Sequence, residues 1–404
     1  ARVPARLDRL AAHASMIASA SAAEVSQRAQ QWLTSHRYRF VVDDDGSLRA
    51  EAGRHRETGN LVFHIFLVFV LVGVGWNTLW GFKGTSVVVE GQGFSNSITQ
   101  YDEFKAGAMV DTDNLTPFSM KLRKFVVSFE TGTVQRGAAR SFDATVDLTM
   151  GGKTQTRDLQ VNHPLRIGST KVHLLGHGYA ADVVVRDGDG KVAYSGPVVF
   201  LPQDANFKSV GVIKAPDARP DRLAFQGFFL PTGAITAGGP TSLFPDALNP
   251  QLYLTAWYGK PTVETGVPSN IYTLDTTGLT QVTNGKDKAR FVLSPGQRYK
   301  LPDGKGSIQF NGWQRWAKIQ VSQNPGLPLT FLSVVLSVAG LCVSLFSRSR
   351  RVWVRTIPGD DGLRVEIGGL DRSDSRSGAV DDVNSLLAAL HGDSMSGDVG
   401  EEHS

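Results

Sequence analysis

The chain has 404 residues, 41% hydrophobic and 20% charged, which is enough apolar material for two or three domains with buried cores and rules out gross disorder. Its 42 basic against 38 acidic side chains leave a net charge of only +4, so nothing in the bulk charge points to nucleic acid. One cysteine, Cys342, excludes an internal disulfide, a CxxC redox pair, a Cys-rich zinc site and covalent haem attachment to this chain.

In chain order, residues 1–59 predict a helix with Val25, Ala29, Trp32 and Leu33 on one face, then two strands, YRFVV and SLRAE, around an Asp45-Gly46 turn. Asn60 to Phe82 then runs 23 residues without Asp, Glu, Lys or Arg. As a helix it covers roughly 34 Å, enough to cross a hydrocarbon core of about 30 Å. Residues 83–326 read as β structure, with short alternating or apolar runs such as SVVVEG, ATVDLTM, ADVVVRD and RFVLS between Gly, Asp and Asn turns. Roughly ten strands in an antiparallel sandwich or irregular barrel are expected there, with a helix-containing stretch near Gly239 to Tyr258. Leu327 to Ser347 is a second charge-free span and holds Cys342. Beyond it, VWVRTI and LRVEIG flank Gly359-Asp360-Asp361-Gly362, and Val380, Val383, Leu386, Leu387 and Leu390 fall on one helical face. The Gly/Ser-rich acidic terminus reads as disordered.

The expected fold is therefore a membrane protein. Two transmembrane α-helices (60–82 and 327–347) flank a large extracytoplasmic all-β domain (83–326), and segments 1–59 and 348–404 pack into one small cytoplasmic α+β unit. Neither terminal segment alone offers more than a marginal core. Orientation follows from seven basic flanks (Arg49, Arg54, Arg56, Arg348, Arg350, Arg351, Arg355) against three on the other side (Lys83, Arg315, Lys318). The excess places both termini in the cytoplasm. Trp76 and Trp80, one helical turn apart, form an aromatic anchor in the lipid at the outer interface.

Standard catalytic motifs are missing. Gly151-Gly152-Lys153-Thr154 ends like a phosphate loop, but Asp147 stands where the opening glycine belongs. No GxSxG, HExxH or paired Cys ligands appear, so neither hydrolase nor zinc chemistry has a motif to start from. His173 and His177 have HxxxH spacing, yet KVHLLGHGYA reads as a strand, where the rings would stand about 13 Å apart and could not share an ion. His163 precedes a proline and is expected in an extended turn. His64 differs, because it lies inside the first span, where an ionisable side chain is a functional candidate. Its residue type admits haem or metal ligation, proton or quinone chemistry, or an interhelical hydrogen bond.

Several blocks in order resemble the ResB family, also called CcsB, of system II cytochrome c biogenesis proteins. They are RHRETGNLVFHIFLVFVLVGVGW, VVVEGQGFSNSITQYDEF, LTPFSMKLRKFVVSFETG, VNHPLRIGSTKVHLLGHGYA, and GVIKAPD with GFFLPT. The pattern around His163 and His177 looks closest to actinobacterial members. The resemblance implies a membrane subunit that works with a polytopic ResC/CcsA-type partner to move haem across the membrane and present it to apocytochrome c. It implies no catalysis by this chain alone, thioether formation belonging to the haem lyase complex. The family's transmembrane histidine, held to be an axial haem ligand, corresponds to His64; His163, His173 and His177 are further candidates for haem contact. Family members usually carry two more spans ahead of the basic segment, so a chain opening at Ala1 is expected to lack them. The alternative reading is an anchored β domain that docks a partner without ligating haem.

Overall fold

The computed structural model describes residues 3–53, 55–261, 272–347, 349–359, 362–371 and 377–391. Arg54, Arg348, the Asp360-Asp361 turn and the acidic terminus lie outside the described residues. Packing divides the chain into two compact units, Trp76–Pro325 and a second made of Ala1–Gly75 with Gly326–Ser404.

In the terminal unit, five antiparallel strands form one sheet in the order Ala12–Ala18, Gly362–Asp371, Arg350–Gly359, Leu48–Ala52, Arg39–Val42. The first strand is absent from the sequence-based expectation, which began with the helix. Helices α1 (Ala22–Ser35) and α4 (Ser377–His391) pack on one face. A capping box starts α1: the Glu24 amide donates to Ser21 Oγ, and the Ser21 amide donates to the Glu24 carboxylate. Val25, Ala29 and Leu33 of α1 meet Val383, Leu386 and Leu390 of α4 over the sheet. Polar contacts also join the two ends of the chain. Trp32 Nε1 donates to Ser385 Oγ at 3.2 Å, and Asp382 accepts from Tyr38 at 2.6 Å and from Arg350 at 2.8 Å. Burial, reinforced by the Asp382 carboxylate, pushes the Tyr38 phenol up.

Two helices are long and apolar enough to cross a membrane, α2 (His55–Trp80), which belongs to this unit as far as Gly75, and α3 (Leu327–Phe346). Only 11% and 17% of their most apolar windows are buried by protein, so most of that surface has no cover from this chain. They approach through small residues: Gly59 and Gly73 of α2 and Ser333, Ser337 and Gly340 of α3 are the buried ones. A Cβ on Gly340 would lie 2.8 Å from the Phe63 amide nitrogen and 2.9 Å from the Gly59 carbonyl oxygen. Ser337 Oγ donates to the Phe63 carbonyl at 3.2 Å. Gly340→Leu is therefore expected to force the helices apart at an overpacking cost of about 1–3 kcal/mol. Gly75→Leu, at a position with no atom within 4 Å of its Cβ, is the control. Thermal unfolding in detergent should fall for the first and hold for the second.

The unit Trp76–Pro325 is built on two strands of 17 residues each, Thr170–Arg186 and Ser307–Gln323, paired antiparallel along nearly their whole length. They run at the centre of a twelve-stranded sheet, and a four-stranded sheet packs beside it. One core, with Phe200, Phe225, Phe229 and Phe310, lies toward one end of the long pair. A second, with Phe94, Phe125, Val146 and Val172, lies under the four-stranded sheet. Among the described residues, 20 strands lie between α2 and α3, where the sequence suggested about ten. Several of them are two to four residues long and polar, too short to show a period. The expected helix near Gly239 to Tyr258 is instead strand Gly239–Ser242 and strand Gln251–Gly259, where Leu252, Leu254 and Ala256 alternate inward.

Candidate functional site

His64 stands five residues after Gly59, about 140° round α2 from the face that packs on α3. Its side chain is exposed. Nδ1 lies 2.8 Å from the Asn60 carbonyl oxygen one turn back. A carbonyl can only accept, so Nδ1 carries a proton, and in the neutral ring this leaves the lone pair on Nε2. The Phe63 ring meets the imidazole edge-on at 5.0 Å and limits its rotation. Among the described residues the hydrogen bond of His64 stays within its own helix, and the one from α3 to α2 is made by Ser337. Among the described residues no group of three or more His, Cys, Asp or Glu gathers to hold an ion. His64 is thus a lone imidazole on α2, directed away from α3, with no second ligating side chain gathered beside it among the described residues. Trp76 and Trp80 end the same helix, 46% and 45% exposed.

The other three histidines do not join it. His163 is exposed on a turn, with Nδ1 3.2 Å from the Val161 carbonyl. His173 and His177 share strand Thr170–Arg186, but a bulge at Leu175 shifts the register between Leu174 and Gly176. Cross-strand pairs show the effect: His177 lies beside Ala317 on the core side, whereas His173 lies beside Gln320 on the other. Unbroken strand alternation would set residues four apart on one face, and the extra residue in the bulge reverses one of these two.

His177 stands where the two β cores meet. Its ring stacks on Phe207 at 4.7 Å and is walled by Phe125, Phe129 and Phe142 at 5.1–6.3 Å. Its Nδ1 is buried without a partner. Beside it Arg315, 6% exposed, pairs with Asp246 at 2.7 Å and lies over the Tyr179, Trp313 and Phe129 rings. Arg315 entered the sequence reading only as a flanking charge. In the folded domain it is a buried guanidinium paired to a half-exposed carboxylate, and the alternation of Trp313, Arg315 and Ala317 was the only signal for its burial.

Burial, helped by the Arg315 charge, lowers the His177 pKa from 6.5 to about 4. The folded state thus holds the ring neutral while the unfolded chain protonates it near 6.5. The associated stability is complete above pH 6.5 and is lost as pH falls from 6.5 to about 4. A shift of this size corresponds to a loss of up to about 3 kcal/mol. His177→Phe should remove that part of the acid sensitivity, read as the wild-type-minus-variant difference in denaturant unfolding between pH 7 and pH 4.

These features define a class: a β-rich domain inserted between two membrane-length helices, one of which offers an outward imidazole. The ResB-like family model matches residues 1–380, and the chain belongs to that family. It is 22% identical over 316 residues to the cytochrome c biogenesis protein CcsB of Synechococcus sp. (strain JA-3-3Ab), covering 78% of this chain and 55% of that protein. Against CcsB of Microcystis aeruginosa it is 21% identical over 332 residues, 81% of this chain and 60% of the relative. A segment of 136 residues is 28% identical to CcsB of Picosynechococcus sp., 33% of this chain and 27% of that one. The chain thus spans little more than half the length of the relatives it matches most extensively.

Proposed function

We propose that this chain is a non-catalytic subunit of a cytochrome c assembly complex, holding haem in the membrane for presentation to apocytochrome c. The observation that carries the reading is His64, an imidazole on a membrane-length helix with Nδ1 engaged by Asn60 and Nε2 available. Membership of the ResB-like family, and the names of the CcsB relatives, supply the biological setting. In this reading α2 and α3 both span the bilayer, the termini face the cytoplasm and the β domain lies outside. Haem is cargo, His64 gives one axial nitrogen, and a ResC/CcsA-type membrane protein gives the other. The β domain, with 26 basic against 20 acidic side chains in residues 83–326, docks the apocytochrome or that partner. Single axial ligation makes haem retention depend on the partner.

Deletion of the gene in its host tests the proposal. The expected result is loss of covalently bound haem from c-type cytochromes, with their apoproteins still exported and b-type cytochromes unchanged. Normal c-type cytochromes in the deletion strain would contradict it.

A further inference from the structure

The terminal sheet has a second face, opposite α1 and α4. Its register places Arg39, Glu51 and Arg351 on one rung and Val41, Arg49 and Trp353 on the next. Leu7 and Leu10 lie over Gly368 on the neighbouring strand and cover that part of the face. Beyond this cover the six rung residues line a pocket of about 550 Å³. The Arg39–Glu51–Arg351 rung is the one closer in sequence to both apolar helices: Glu51 lies four residues before the start of α2, and Arg351 five after the end of α3.

The charges in the pocket do not cancel. Arg351 pairs with Glu51 at 3.3 Å and Arg49 with Asp43 at 2.9 Å, whereas exposed Arg39 has no ion pair or hydrogen bond among the described residues. Arg49 Nε is also buried without a partner. A surplus of one positive charge and guanidinium donors lacking acceptors suit a singly charged group with several oxygen acceptors. Trp353, 4% exposed, and Val41, 54% exposed, add apolar wall beside those donors. Carboxylates are a poorer match, because Glu51 already supplies one to the same rung.

We infer that this pocket binds a phosphodiester monoanion, with Arg39 as its principal ligand and Arg49 and Arg351 beside it. The group comes either from an anionic phospholipid headgroup or from a soluble phosphate ester, and the site's position next to α2 and α3 makes the first accessible. This inference is independent of haem and of His64.

The test uses the full chain, delipidated in a nonionic detergent and titrated with short-chain phosphatidylglycerol, phosphatidylcholine or glycerophosphoglycerol at constant ionic strength. Thermal midpoint is the readout. A saturable rise with phosphatidylglycerol alone supports the site and assigns it to a lipid headgroup. An equal rise with glycerophosphoglycerol supports it as a site for soluble phosphate esters. Arg39→Gln, at an exposed position without partners, should keep the fold and weaken the apparent affinity at least tenfold. Arg123→Gln, which breaks an exposed pair with Asp147 in the other unit, should leave it unchanged. No saturable rise with either phosphatidylglycerol or glycerophosphoglycerol, or a rise that survives Arg39→Gln, overturns the inference.

Discussion

Asp246→Ala is expected to destabilise the β domain by about 3 kcal/mol, more than Arg315→Met does, although both variants delete the same ion pair. The asymmetry comes from burial. The Arg315 side chain is 8% exposed and that of Asp246 is 38% exposed. Removing Asp246 leaves a cation inside the domain without its carboxylate, with Nη1 already unpartnered and the Tyr179, Trp313 and Phe129 rings at 4.9–5.9 Å as weak compensation. Removing Arg315 leaves a carboxylate that reaches water and keeps the Ala247 amide at 3.0 Å, while methionine refills the aromatic seam. Urea unfolding in detergent, followed by near-ultraviolet circular dichroism, should rank wild type first, Arg315→Met second and Asp246→Ala last. The reverse order for the two variants would mean that the guanidinium is more hydrated than its packing indicates.

His64→Ala is expected to lower mature c-type cytochrome at least tenfold in cells, with the variant present in membranes at the wild-type level. The two halves of that expectation rest on the same geometry. Among the described residues the hydrogen bond and ring contact of His64 are both made within its own helix, to Asn60 and Phe63, so its removal leaves the Gly59, Gly73 and Gly340 packing intact. What disappears is the imidazole inside the apolar run of α2, on the side away from α3; the other imidazole of the helix, exposed His55, stands at its first residue. Imidazole in the medium should restore part of the activity, because the deleted side chain leaves room for the free ligand. A structural histidine would show the opposite pattern, with a lower protein level and no rescue.

Much of this arrangement was legible in the sequence because burial imposes a period or a composition. The charge-free runs of α2 and α3 need no tertiary information, and the stripe Val25, Ala29, Trp32, Leu33 is buried as 3.6-residue spacing requires. The Asp45-Gly46 turn forms with Gly46 at φ 81°, a conformation that glycine adopts freely. Strand Ala12–Ala18 was not legible. Its AHASMIA sequence is weakly apolar, and its partner Gly362–Asp371 lies some 350 residues further along the chain. The opposite facing of His173 and His177 was hidden for another reason. One bulged residue inverts the side-chain alternation, and nothing in LLGHG except its glycines hints at the bulge. Arg315 illustrates the same limit, since the sequence shows a charge but not the Asp246 carboxylate that lets it be buried. His64 stood out because its surroundings are the span itself, so the local sequence already contained its environment.

Haem delivery by this chain turns on His64 as an axial ligand. The decisive measurement is the absorption and pyridine haemochrome spectrum of the chain purified with its ResC/CcsA-type partner, comparing wild type, His64→Ala, and His64→Ala with added imidazole. Bound haem is expected in the wild type, with its loss or marked weakening in the variant and partial recovery with imidazole. Undiminished haem in the variant would place both axial ligands elsewhere and leave this chain as a docking module.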